Sequence, residues 1–208
     1  FSYAWPYYGT LKRVWEEDEP VHEILDQVSS TLADLHPRAH RLRFTTNHDE
    51  SMWDATPVEI FGGRDGSEAA FVLSTTLPGV PLMYNGQELG IADTISFFAA
   101  QPYDWDQTDT MVPFYTQTLG IYNASTALRG GDYEVLDADA EDVALFSRSS
   151  DDQTLIIAVN IRDEEVSVTL PDAYQDASLT DLFSGDTVTG PTLSMGPHDY
   201  HVLEVATP

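Results

Sequence analysis

The chain changes its periodicity at Gly130-Gly131, and that change limits its fold more than any other feature of the sequence. Before this point helix-period and strand-like segments alternate. Val21, Ile24, Leu25, Val28, Leu32 and Leu35 share one helical face, which predicts an amphipathic helix over 21–36, with a shorter helix expected over 8–17. Residues 41–47, Arg-Leu-Arg-Phe-Thr-Thr-Asn, have the length and β-branched content of a strand. A Gly-rich connection at 62–66 leads to a helix expected over 67–77, which Pro78-Gly79 stops. Residues 80–84 read as a second strand, 85–110 as loop, and 113–128 as a helix ending at the glycine pair. Alternating strands and helices are the pattern of a parallel α/β arrangement.

From Asp132 onward helical spacing is lost. Val166, Val168 and Leu170 alternate with Ser167 and Thr169, and turn residues at 149–152, 163–165, 185–186, 190–191 and 196–197 separate short strands. This predicts a small antiparallel β-sandwich over 131–208, with the domain boundary after residue 130.

Charge narrows the partners. Among 208 residues, 35 Asp and Glu face 9 Lys and Arg, a formal charge of −26, so nucleic acid and anionic membrane surfaces would be repelled. Only one basic residue is a lysine, Lys12, a pattern shared with salt-adapted proteins, whose crowded carboxylates repel one another until salt screens them. The absence of cysteine removes disulfides, thiolate catalysis and Cys-based metal sites, while leaving the compartment open. Apolar runs such as 155–159 are far shorter than the ~20 residues of a membrane helix. No metal site is supported. Asp137, Asp139, Glu141 and Asp142 lack the glycine of a calcium loop, and His198 and His201 are three apart near a predicted terminal strand, which puts them on opposite faces. The glycines at 62–66 lack the Gly-Lys-Ser/Thr of a phosphate loop.

Asn47-His48-Asp49-Glu50 sets an amide, an imidazole and two carboxyls where the 41–47 strand runs out. Parallel α/β sheets and barrels bind ligands at the C-terminal ends of their strands. The same residue types also build caps and Asx-turns, and spacing alone leaves both readings open.

Phe44-x-x-Asn47-His48-Asp49 resembles the motif that ends the seventh barrel strand in the α-amylase family of glycoside hydrolases. Four further segments agree in order: residues 77–88 with that family's eighth strand and loop, 97–105 with its last βα connection, 113–132 with its eighth helix, and the β-rich tail with its C-terminal sandwich. Residues 1–8 resemble the sixth strand and its helix. The fold implied is the C-terminal part of a (β/α)8 barrel, about strands six to eight, over 1–130, followed by an all-β antiparallel sandwich over 131–208.

The resemblance implies a retaining mechanism with two carboxylates, an Asp nucleophile and a Glu general acid, both from earlier strands that this sequence does not contain. Asp49 matches the third family carboxylate, which holds sugar hydroxyls in the transition state, and His48 matches a residue bonding the same ring. Asn47 is assigned mainly to the turn that presents them, and Trp53 is a stacking surface for a sugar face or a rim aromatic. Glu50 and Glu88 are not expected to substitute for the missing acid. Met52 stands where many relatives carry arginine, and Trp53 fits a subgroup reading Asn-His-Asp-Glu-x-x-Trp. The implied partners are an α-glucan or maltooligosaccharide and the remaining part of the barrel, with self-association through exposed barrel edges as a further expectation. No cofactor is expected here, although calcium belongs to the family. The isolated 208-residue chain is expected to be inactive. The alternative is a non-catalytic carbohydrate- or protein-binding module derived from such an enzyme.

Overall fold

A computed structural model describes every residue except 37–38, 95, 97, 101 and 207–208. Phe97, at the head of the 97–105 segment, therefore lies outside the described residues. Strand β1 (Ser2–Tyr3) pairs in parallel with β2 (Arg41–Arg43), which pairs in parallel with β3 (Val80–Pro81). Helices α1 (Trp5–Glu16) and α2 (His22–Asp34) connect the first pair; α3 (Glu50–Trp53), α4 (Pro57–Ile60) and α5 (Arg64–Thr76) connect the second. A 3₁₀ turn at Gln87–Leu89 and helices α6 (Val112–Ala124) and α7 (Thr126–Gly130) lead out of this layer. The remaining strands are β4 (Asp132–Val135), β5 (Val143–Ser149), β6 (Thr154–Asn160), β7 (Val166–Thr169), β8 (Leu179–Asp181), β9 (Thr187–Val188), β10 (Thr192–Met195) and β11 (Tyr200–Val205). They form a six-stranded antiparallel sheet, β4-β5-β6-β11-β8-β9, and a two-stranded one, β10-β7. Parallel strands linked by helices, followed by two packed antiparallel sheets, are the end of a barrel and its sandwich.

The strand expected over 80–84 pairs only at Val80–Pro81 and the helix expected over 8–17 begins at Trp5, and three further segments differ for a local reason. The helix expected over 67–77 begins at Arg64, because Gly63 turns the chain at φ 120° and Gly66 lies within the helix against Phe61. A Cβ at Gly66 would sit 1.8 Å from the Phe61 carbonyl oxygen, so only glycine fits there. The helix expected over 113–128 breaks at Ser125, which is extended and whose Oγ accepts the Leu128 N–H at 3.0 Å to restart α7. The 41–47 strand leaves its ladder after Arg43, since Asn47 already belongs to the next helix cap.

Helix α5 and strands β5 and β6 hold the layers together. One continuous cluster contains Leu11 and Val14 of α1, Ile24 of α2, Leu73 of α5, and Phe146, Leu155, Ile157 and Val202 of the six-stranded sheet. The alternate residues Leu145, Ile156 and Leu203 face a second cluster with Val168 and Leu193 of the small sheet. Both faces of β5 and β6 are therefore buried, which is why 155–159 is a run of apolar residues rather than an alternation.

Two arginines lock this junction. Arg148 on β5, 1% exposed, donates from Nη1 to the Thr76 carbonyl at the end of α5 (2.8 Å), from Nη2 to Gly131 (3.1 Å) and from Nε to Asp132 (3.2 Å). Burial lowers its pKa to about 10. Arg162, after β6, donates to the carbonyls of Val14 and Glu19, each at 2.8 Å, and to Asp142 at 2.9 Å.

His201 on β11 does not converge with His198. Its Nδ1 lies 2.6 Å from Asp181 Oδ2 and its Nε2 3.5 Å from Asp199 Oδ2, whereas His198 stacks on Trp15 at 6.5 Å. Burial alone would depress the imidazole, but the hydrogen bonds to Asp181 and Asp199 outweigh it and raise the pKa to about 9.

Arg148→Met leaves the Thr76, Gly131 and Asp132 carbonyls without their donor, and a loss of about 3 kcal/mol in urea unfolding is expected; an unchanged midpoint refutes the locking role. His201, raised from 6.5 to about 9, contributes stability that is complete below pH 6.5 and is lost as pH rises through 9. Unfolding measured across this range should fall by up to about 3 kcal/mol, a slope that His201→Gln removes.

Candidate active site

After β2 the chain continues through Phe44, Thr45, Thr46 and Asn47, all buried, and reaches solvent at His48. The Asn47 carboxamide explains the turn. Its Oδ1 accepts the backbone N–H of Asp49, the residue before α3, at 2.8 Å and of Glu50, the first residue of α3, at 3.2 Å, and neither N–H has an intrahelical partner. Its Nδ2 has no partner among the described residues. Asn47 is thus the capping residue that fixes how its two neighbours leave the strand.

His48 and Asp49 project beyond the C-terminal end of the central parallel strand, their side chains 57% and 45% exposed, with His48 Nε2 3.5 Å from Asp49 Oδ1. Trp53 closes the same helix four residues after Asp49, hence about one turn further along, and is 73% exposed. An accessible carboxylate beside an imidazole accepts and donates hydrogen bonds to neighbouring hydroxyls; it is not the spaced pair of carboxyls that glycosidic cleavage requires.

Aromatic rings that sequence reasoning did not assign to the site support it from below and beside. Phe44 is ringed by Tyr3 at 5.8 Å, Trp5 at 5.3 Å and Tyr8 at 5.1 Å, and Tyr3 also lies 6.3 Å from His48. Trp5 is 41% exposed. The available signal was the spacing of Tyr3 and Trp5, two apart where β1 ends, beside the strand that carries the motif.

Behind α3, Asp54 accepts the Tyr8 hydroxyl at 2.9 Å and pairs with Lys12. Burial, reinforced by Asp54, pushes the Tyr8 phenol up. Burial also raises Glu50, with Asp54 and Asp49 adding repulsion and Lys12 opposing it, so this carboxyl keeps its proton longer than usual. On the other flank Gln87 accepts the Tyr84 N–H at 2.6 Å and donates to Thr45 Oγ1 at 2.9 Å, pinning the loop after β3 to the 44–47 segment. Glu88 accepts the Gly86 N–H at 2.9 Å, which makes it a brace of that loop.

Within the acidic run at 137–142, two carboxylates are engaged by protein donors. Asp139 takes the Thr169 N–H at 3.0 Å and its hydroxyl at 2.8 Å, which hold its pKa below the usual range, and Asp142 pairs with Arg162.

Comparison with known proteins agrees with this architecture. A family model described as the C-terminal domain of maltogenic amylase matches residues 133–202. Alpha-amylase 2 of Dictyoglomus thermophilum is 26% identical over 177 residues, covering 78% of this chain and 29% of that protein. Alpha-amylase MalA of Haloarcula japonica is 29% identical over 177 residues, covering 77% and 25% respectively. Among solved structures, a noncanonic maltogenic α-amylase of Thermotoga neapolitana superposes with a TM-score of 0.83 at 18% identity, over 99% of this chain and 51% of that one. An α-amylase of Lactobacillus plantarum gives 0.83 at 17% identity, over 98% and 47%. The chain thus spans about a quarter to three-tenths of these curated relatives.

Proposed function

We propose that this chain, which is the C-terminal part of an α-amylase-family glycoside hydrolase, contributes the sugar-holding side of a retaining α-glucan-cleaving site. In this reading residues 1–130 end the catalytic barrel and 131–208 form its sandwich domain. The observation that carries it is the pair His48 and Asp49, presented to solvent at the C-terminal end of the central parallel strand beside exposed Trp5 and Trp53. A substrate sugar would rest on the aromatic faces while Asp49 and His48 bond its hydroxyls.

Asp49 acts by preorganisation. Its negative charge faces the cationic character that develops at the sugar ring, and its hydrogen bonds strengthen as the ring distorts. Asn47, Gln87 and the ring cluster under Phe44 keep it in place, so little reorganisation is needed at the moment of reaction. Bond cleavage itself needs a nucleophile and an acid on other strands, and the outer edges of β1 and β3 are where further parallel strands, or a second copy of the chain, would pair. The 208-residue polypeptide alone therefore binds a maltooligosaccharide without hydrolysing it.

Tryptophan fluorescence titration with a maltooligosaccharide is expected to show saturable binding that Asp49→Ala or Trp53→Ala weakens about tenfold, equivalent to about 1.4 kcal/mol. Turnover by the pure chain would overturn the division of roles, and Asp49→Ala binding as tightly as the parent, with no turnover, favours the non-catalytic module.

The charge of −26 supports a second part of the proposal, adaptation to salt. Molar salt shortens the screening length to about 3 Å and relieves carboxylate repulsion. The melting temperature should rise by several degrees from low to molar KCl; a flat profile rejects the adaptation.

A further inference from the structure

The few cations of this acidic protein are divided unequally. Lys12, Arg13, Arg64 and Arg162 each pair with a carboxylate, Asp54, Glu19, Asp109 and Asp142 respectively. Among the described residues Arg41, Arg43, Arg129 and Arg148 pair with none, although carboxylates outnumber cations 35 to 9 in the chain. These four meet at one place. Arg41, Arg129 and Arg148 line a single cavity of about 210 Å³ together with His36, His40 and Gly79, and among the described residues no Asp or Glu lines it. Arg43 stands behind its wall, donating from Nε to the Pro78 carbonyl at 2.7 Å. The cavity opens at the N-terminal end of β2, the end opposite His48 and Asp49.

We propose that this cavity is a binding site for a small tetrahedral oxyanion of the phosphate class. Charge is the first argument. Arg148 is 1% exposed and its hydrogen bonds go to neutral carbonyls, so its charge is buried without a counter-charge, a condition that an anion relieves. Asp132 is a carboxylate residue whose charge acts on it, and Arg148 bonds the backbone of that residue rather than its side chain. Geometry is the second. Arg41 arrives from β2 and Arg129 from α7, so two planar guanidinium forks approach the space from different elements, the arrangement that suits a multi-oxygen anion. Size is the third. At about 210 Å³ the cavity is below the range of sites for drug-sized ligands, about 300 Å³ and above, yet holds several times the roughly 30 Å³ share of one water. The overall charge of −26 excludes extended polyanions and leaves a compact one.

Isothermal titration with inorganic phosphate, at pH 7 and constant ionic strength held with KCl, tests this. The expected result is saturable binding at one site per chain, weakened at least tenfold in Arg41→Gln/Arg129→Gln and unchanged in Arg13→Gln, whose ion pair lies elsewhere. Among the described residues the Arg41 and Arg129 side chains each make a single hydrogen bond, to Ser2 Oγ and the Ser125 carbonyl, so near-ultraviolet circular dichroism should show both variants folded. Each single variant, expected to weaken binding severalfold, serves if the double variant does not fold. No saturable heat up to roughly 10 mM phosphate, or equal affinity in the arginine variants, overturns the proposal.

Discussion

The structure depends on one buried cation. Arg148 stands on the second strand of the large sheet, yet its Nη1 reaches the end of α5 in the helical layer, 72 residues earlier in sequence, while Nη2 and Nε take the carbonyls of Gly131 and Asp132. The C-terminal carbonyls of a helix lack intrahelical donors, and at a buried layer junction water cannot supply them. One guanidinium meets two such acceptors, at Thr76 and Gly131, together with the Asp132 carbonyl that opens β4. Arg162 repeats the device at the other side of the junction, on the carbonyls of Val14 and Glu19. The apolar cluster supplies the adhesion between layers, and the two arginines set its register, because apolar contact is non-directional and hydrogen bonds are not.

The continuous core has a consequence for the parallel strands. A three-stranded sheet with two- and three-residue strands is too short to be stable on its own ladder bonds. It is held by α5, whose Ala69, Ala70, Phe71, Val72 and Leu73 are all buried, and α5 in turn packs against β6. The frame that presents His48 and Asp49 is therefore supported from the sandwich side, through a helix buried on every face over 69–76.

Much of this was legible in the sequence. The stripe on α2, the helix stop at Pro78-Gly79 and the loss of helical period at Gly130-Gly131 each follow from local chemistry, and the Asn47-His48-Asp49 triplet marked the strand end. What was not legible depended on partners distant in sequence. Ser125 reads as an ordinary helical residue until its hydroxyl takes the Leu128 N–H, with Gln153 Oε1 at 2.6 Å fixing its position. Gly66 looks like one more loop glycine until the Phe61 carbonyl is placed against it. The aromatic support of the site was hidden for the same reason: Tyr3 and Trp5 lie about forty residues before Phe44 and meet it only because β1 and β2 are neighbours.

The same neighbour relation explains why the site has one rigid member and two accessible ones. Asn47 is 1% exposed and spends its oxygen on two backbone donors, so it is a hinge pin for the helix that follows rather than a surface for ligand. Because those donors belong to Asp49 and Glu50, the cap that stabilises α3 is also what orients Asp49. The carboxylate is consequently aimed by backbone geometry and not by an ion pair with a buried cation, which leaves its charge uncompensated toward solvent. Among the described residues no guanidinium pairs with Asp49, whose ionisable neighbour is the His48 imidazole at 3.5 Å, so its oxygens stay accessible at the C-terminal end of β2.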